Sequence, residues 1–488
     1  MPADTTAFGR GLAATLALAG SALIGALATA GCGGAPADKA GGATAPLVLR
    51  LGTPNPPDRP ESPTIEEFAR RVATLSHGSL RVKIVWLAGG GPEVPVAAMV
   101  RDGRLDAAFV ATRVWDEEGA TSLEPLQAPF LIRSQALENR VATSPLATTM
   151  LAGLDRAGVT GIALVPAALL HPFGFGRALR APRDFAGALL RAPQSRMTDR
   201  LVRALGARSA PLDADAFNVA VRRGTVAGTE WYLELGATLP TGKGPTTATG
   251  NVVFYPKVHS LVVNRAVFGR LTEAQRRVLH RAAADAVRFA IRTNLSERKA
   301  GAQFCRNGGA IVASSPAQLA ALEQKVAPVY AALERDAGAK RLIAAIRALA
   351  RRTPPDPPVT PCAAPTASAA GTAAAARIPD GAYRKEITRQ QLVAAGVSSF
   401  DAAQNYGIHT LTIRGGRWRD ATTLRTPCFG PIRYAGALVV FVAECGSATS
   451  SVVLRARWAL VEGELRFAGL RTAFDRVFWG GRGWRRIG

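Results

Sequence analysis

The stretch Asp184-Phe185-Ala186-Gly187-Ala188-Leu189-Leu190-Arg191-Ala192-Pro193 places a cation on a short apolar strand. Leu189 and Leu190 mark a buried strand, and Pro193 ends it by removing a donor. A guanidinium carried there would be costly unless it met a partner, because an unpaired buried charge is strongly disfavoured. Strand patterns precede it at Val159 to Leu164, and a helix pattern follows at Met197 to Leu205.

The same alternation holds further out. Leu47 to Gly52 reads as a strand, and Ser62 opens a helix with Pro63 at its first position and Glu66 completing a capping-box pattern. Ile65, Phe68, Ala69, Val72 and Leu75 give that helix one apolar face. Ser79 to Trp86 alternates as a strand does. Val94 to Asp102 is helical and stops at Gly103, and Ala107 to Ala111 is a buried strand. Strands alternating with helices predict an α/β fold with mostly parallel sheets. From Thr272 to Arg352 the pattern is almost wholly helical. One helix opens at Leu271 to Gln275 and is expected to run past Thr293 towards Cys305; another opens at Ser315-Pro316.

Composition divides the 488 residues. Residues 351–377 are Pro-rich, then Ala-rich, and read as a linker. Beyond them the period changes to two. Ala382 to Thr388, Ile408 to Trp418, Ala437 to Cys445, Val452 to Val461 and Glu464 to Ala468 alternate as strands. With a short helix at Arg389 to Ala395, residues 378–488 predict a small antiparallel barrel or sandwich.

At the other end, Leu12 to Ala30 is an uncharged apolar run ending in small residues before Cys32. Residues 1–31 read as a secretory signal cut ahead of that cysteine. The pattern resembles a bacterial lipobox, with lipid on Cys32 and residues 32–46 as the tether; the other reading is an uncleaved membrane anchor. Both put the chain outside the cytoplasm. Four cysteines then remain, Cys305, Cys362, Cys428 and Cys445, enough for two disulfides by three connectivities. Pairing neighbours in sequence, Cys305 with Cys362 and Cys428 with Cys445, is the simplest.

The net charge of +24 comes from 60 Lys and Arg, 52 of them Arg, against 36 Asp and Glu. No run of five cations occurs, so the charge forms no nucleic-acid stripe. His77, His171, His259, His280 and His409 stand at no metal-ligand spacing and read as single structural or surface residues. Gly89-Gly90-Gly91 lacks the Lys-Ser/Thr of a phosphate loop, and no Gly-x-Ser-x-Gly elbow appears. Nothing points to a catalytic centre, a metal or a cofactor.

Several segments, in order, resemble the extracytoplasmic solute-binding subunit of TRAP transporters (DctP-like family). Ala97 to Asp106 matches its helix, glycine and acidic residue before a strand, and Ala128-Pro129-Phe130-Leu131-Ile132-Arg133-Ser134 its PFLF-S segment. Gly174-Phe175-Gly176-Arg177, Asp184 to Pro193, Ala204-Leu205-Gly206-Ala207 and Val258 to Asn264 match in turn. The C-terminal residues Pro379 to Tyr383, Gly416-Arg417-Trp418 and Phe478 to Ile487 resemble a lipocalin-like barrel.

The resemblance spans residues 47–350. It implies a two-lobed periplasmic-binding-protein fold with a long bracing helix, holding a ligand in the cleft. It implies further that Arg191 forms a two-pronged ion pair with a ligand carboxylate, for which a planar guanidinium is suited and an ammonium is not. Arg177 is the second candidate, with Arg180 and Arg183 as rivals. The family's acid, tyrosine and aspartate positions hold Ala216, Asn218 and Ala227 here, so Asn218 becomes a candidate hydrogen-bonding residue. Trp231, with Tyr232, is a candidate for lining the cleft. The implied partners are a small organic acid, the membrane subunits of a TRAP transporter, and the membrane itself through the lipid. The alternatives are a surface-anchored binding or sensor module without a transporter, and an extracytoplasmic enzyme.

Overall fold

In the computed structural model of the chain, residues 1–44, 58, 213, 240–243, 364–376, 398–401, 404, 423–426, 436–437, 444–451, 471–472 and 482 are not described. Cys32 and Cys445 lie outside the described residues.

The first three strands, β1 (Leu47–Gly52), β2 (Leu80–Val85) and β3 (Ala107–Ala111), are parallel, with β1 in the middle. Their apolar residues, such as Leu49 and Leu51, meet Ile65, Phe68 and Val72 of the helix Ser62–Leu75. Ser62 does not cap that helix; its hydroxyl donates to the Pro56 carbonyl at 2.9 Å. Glu66 lies one residue too late to reach back as a capping box requires. Gly103, at φ +74°, does end its helix as expected.

The strand expected over Val159 to Leu164 is much longer. β4 runs Val159–Phe175 through Pro166 and Pro172, and its register shifts between Pro166 and Ala168. A proline inside a ladder is tolerated at such irregularities. β4 ends in a tight turn: a Cβ on Gly174 would stand 1.9 Å from the Arg177 carbonyl, so the position must stay bare. Next come β5 (Leu189–Arg191), β6 (Arg208–Ala210), β7 (Gly228–Trp231), β8 (Thr246–Thr249), β9 (Tyr255–Asn264) and β10 (Ala310–Val312).

β4 carries the chain from one lobe to the other. Its first part pairs antiparallel with β9, which pairs antiparallel with β3; its last part pairs antiparallel with β7 and β8. β5 lies parallel between β6 and β7. Each lobe therefore has parallel strands, but the join is antiparallel, and the sheet is mixed where mostly parallel pairing was expected.

The helix Glu273–Thr293 buries Leu279, Ala282, Ala283, Ala286, Val287 and Ala290 against the first helix and β4. Small residues on that face let the backbones approach closely. The helix does not continue to Cys305. Asn294 leaves the helical conformation, its side chain donates to the Pro166 carbonyl at 2.8 Å, and a second helix begins at Glu297–Arg306. Ser315 caps the helix Pro316–Lys325 as its sequence predicts.

The C-terminal strands close a barrel: β11 (Gly381–Ile387), β12 (Gly407–Arg414), β13 (Arg417–Ala421), β14 (Cys428–Ala435), β15 (Leu438–Val442), β16 (Val452–Val461), β17 (Glu464–Ala468) and β18 (Trp484–Arg486). Inward residues alternate as β structure requires, and the interior is filled with aromatic rings. Trp418 stacks on Phe441 at 5.5 Å, and Trp479 meets Phe441 edge-on at 5.4 Å.

The disulfide Cys305–Cys362 joins the helix Glu297–Arg306 to the segment that follows the last helix of the α/β domain. Cys428 is also disulfide-bonded. Arg433 on β14 donates to the carbonyls of Ala237 at 2.6 Å and Leu239 at 2.9 Å, holding the barrel on the second lobe.

Candidate functional site

Arg191 sits at the end of β5, between Ala210 of β6 and Thr229 of β7. Leu190 beside it is fully buried, while Arg191 points into the interior between the lobes. Its Nε donates to the Leu212 carbonyl at a long 3.4 Å. Its guanidinium carbon lies 5.6 Å from the ring centre of Phe217 and 5.8 Å from that of Trp231. A guanidinium between aromatic faces keeps its in-plane donors open while its flat sides are covered. Burial lowers its pKa, opposed chiefly by the nearby Glu230 carboxylate.

A second guanidinium enters from the other lobe. Arg113, just after β3, binds Glu93 at 2.8 Å and lies 3.9 Å from Glu230 of β7. Burial works against the charge on Arg113, but Glu93 and then Glu230 overcome it and raise its pKa. Glu230 is 5% exposed and its Oε2 has no hydrogen-bond partner. Burial raises the Glu230 pKa despite Arg113 and Arg191.

A third cation completes the set. Lys257 of β9 forms an ion pair with Glu61, lies 4.4 Å over the Tyr232 ring and donates to the Tyr232 hydroxyl at 3.4 Å. Burial alone would raise Glu61, but Lys257 and then His259 bring its carboxyl down to about 2. Burial pushes Tyr232 up to about 12 and His259 down to about 3. Among the described residues, Arg113 and Lys257 have close carboxylate partners and Arg191 has none within 4.0 Å.

The space beside Arg191 is small. A cavity of about 10 Å³, bounded by Leu190, Arg191, Thr198, Glu230, Phe254 and Tyr255, has room for one water at most.

Of the residues singled out in the sequence, Arg191 and Trp231 meet here, and Asn218 lies buried next to Phe217 on the helix Ala214–Arg223. Arg177 sits apart, exposed on the turn after β4, with its guanidinium donating to the Asp184 carbonyl at 2.8 Å. Arg113, Glu230, Lys257 and Glu61 carry no spacing signal, because their partners are far away in the chain. Two histidines read as isolated are paired with acids. His171 lies 2.8 Å from Glu297 and His409 3.1 Å from Asp420, all four buried. Among the described residues no three His, Cys, Asp or Glu side chains converge as metal ligands would, and no helix is long and apolar enough to cross a membrane.

The family of bacterial extracellular solute-binding proteins, family 7 (DctP), matches residues 51–336. A similar fold is found in a TRAP periplasmic solute-binding protein of Chromohalobacter salexigens with bound D-glucuronate: TM-score 0.54, 16% identity, 62% of this chain and 99% of that one. It is found again in one from Ralstonia eutropha with bound (S)-2-acetolactate: TM-score 0.56, 20% identity, 62% and 99% coverage. A third, from Polaromonas, holds D-erythronate, with TM-score 0.54, 20% identity, and 62% and 98% coverage. The uncharacterised protein y4mM of Sinorhizobium fredii is 26% identical over 193 residues, which is 38% of this chain and 35% of that protein's length.

Proposed function

This chain belongs to bacterial extracellular solute-binding protein family 7, and from that premise we propose that Arg191 captures an organic carboxylate in the cleft for delivery to a TRAP-type transporter. One observation carries this reading: among the described residues Arg191 has no carboxylate within 4.0 Å, and it is framed by Phe217 and Trp231. A ligand carboxylate would supply the missing acceptors in the two-pronged geometry that guanidinium favours. Each charge-assisted hydrogen bond would contribute about 1.5–3 kcal/mol.

The solute enters when the lobes part about the β4 and β9 crossings. Trp231 covers one face, and Asn218 and Glu230 offer hydrogen-bonding atoms beside the carboxylate. Glu230 then favours ligands that carry hydroxyl donors. Closure brings Arg113 and Lys257 across from the first lobe. Ligands reported for similar folds, D-glucuronate, D-erythronate and (S)-2-acetolactate, are hydroxylated or oxygenated acids of this description. Lipid on Cys32 holds the protein at the membrane near its transporter subunits.

The test is a thermal-shift screen of the purified chain against hydroxy and sugar acids, with Arg191→Ala and Arg191→Lys beside the wild type. A ligand at one hundred times its Kd adds about 2.7 kcal/mol of stability. The shift is expected to vanish in Arg191→Ala and to shrink in Arg191→Lys. An equal shift in wild type and Arg191→Ala would remove Arg191 from the site, and no shift across the panel would refute carboxylate capture.

A further inference from the structure

A second cavity lies away from Arg191. It encloses about 720 Å³, within the roughly 300–1,000 Å³ of small-molecule sites. Its inner wall is apolar: Leu131, Leu137, Leu169, Val253 and Val326 are all buried and face it. At its deep end His171 and Glu297 satisfy one another, the ring also facing the Val252 carbonyl at 2.8 Å and Glu297 accepting from the Leu169 amide.

The roof is Pro355, Pro357, Pro358 and Val359 of the segment leading to the Cys305–Cys362 disulfide. The roof and the rim residues Arg347, Ala350 and Arg351 all lie past residue 336, where the family match ends.

The mouth carries three guanidiniums. Arg133 is held by Glu323 at 2.6 Å and by the Phe130 carbonyl. Arg347 lies 4.9 Å over the Tyr330 ring and binds Glu334 at 3.2 Å. Arg351 is exposed and makes no ion pair or side-chain hydrogen bond among the described residues.

We infer that this cavity is a second ligand site, taking an amphiphilic organic monoanion with its apolar body inside and its anionic group on Arg351. The orientation follows from the walls. The polar groups at the deep end are committed to each other, so that end offers contact mainly to apolar atoms. Among the described residues the mouth holds one uncommitted cation, which matches one negative charge. Arg347 on Tyr330 forms a flat shelf against which a ring or chain can lie.

The probe is 8-anilinonaphthalene-1-sulfonate, an apolar ring system with a single anion, titrated into the full chain and followed by its fluorescence. Saturable binding at one site is expected. Arg351→Glu, an exposed charge reversal, should weaken it about tenfold. Ala350→Trp, which puts an indole into the cavity from a half-buried helix position, should abolish it. Arg191→Ala should leave it unchanged, so this site stands or falls independently of the cleft. Absence of saturable binding, binding indifferent to both rim variants, or binding lost in Arg191→Ala would each overturn the assignment.

Discussion

Arg113 of the first lobe lies 3.9 Å from Glu230 of the second, spanning the cleft beside Arg191. Glu230 is buried; burial raises its pKa, and Arg113 and then Arg191 act against that shift in favour of its charge. Removing one member of a buried pair leaves the other uncompensated, typically at about 3–5 kcal/mol. Arg113→Ala is therefore expected to lower stability by about 3 kcal/mol in urea unfolding at pH 7. Adding Glu230→Gln should recover part of that loss, because the stranded charge is gone. Additive effects of the two changes would show that the groups do not interact.

Acid should destabilise the fold in two stages. His259 is buried and stacked on Phe109 at 4.6 Å, with a pKa pushed by burial from 6.5 to about 3. The unfolded chain binds a proton that the fold excludes, so this contribution is complete above pH 6.5 and is lost as pH falls towards 3. The Glu61 pKa lies at about 2 against an ordinary 4.5, so its contribution is complete above 4.5 and is lost as pH falls towards 2. From these two groups stability falls by about 1.4 kcal/mol per pH unit between 6.5 and 4.5, and about twice as steeply from 4.5 down to about 3. His259→Phe keeps the stacked ring and removes the proton site. Urea midpoints measured at pH 7.5, 6 and 5 should flatten in that variant; an unchanged slope would place the titration elsewhere.

Which of this could be read from the sequence depends on the range of the interaction. The strand ending at Arg191, the cap at Ser315 and the alternation of the barrel strands are local, set by periodicity and by single residues with strong preferences. The full length of β4 is not local: it runs through Pro166 and Pro172, and pairing with β9 and β7 carries the strand through them. The helix break at Asn294 depends on the Pro166 carbonyl, 128 residues earlier. Lys257 and Glu61 are 196 residues apart. No spacing rule relates such partners, so the candidate site was legible at Arg191 and Trp231 but not in the charges around them.

The Cys305–Cys362 bridge closes a separation of 57 residues and lies beside a two-way backbone pairing of Ile311 with Cys362. Restricting the unfolded chain by a loop of that size stabilises the fold by about 4 kcal/mol in the chain-entropy account, with about 2–4 kcal/mol typical in practice. Replacing both cysteines by serine should lower the urea midpoint accordingly. Because the bridge holds one end of the roof segment, the same variant should also weaken binding of the naphthalene sulfonate. A stability loss with unaltered probe binding would mean that the roof holds its position without the bridge.

Arg433 offers the last test, because it joins the barrel to the lobe that carries Trp231. Its two donors take the carbonyls of Ala237 and Leu239 at the end of the 3-10 turn Leu233–Thr238, where helical carbonyls lack partners within the turn. Charge-assisted bonds contribute about 1.5–3 kcal/mol each, and part of that is returned when water replaces the guanidinium. Arg433→Ala is expected to reduce the coupling between barrel and α/β domain by about 2 kcal/mol. In calorimetry this appears as a splitting or broadening of the unfolding transition, with the barrel melting earlier. Arg433→Lys, which cannot reach both carbonyls with a fixed fork, should lie between the two. Identical transitions in wild type and Arg433→Ala would mean that other contacts hold the barrel on the lobe.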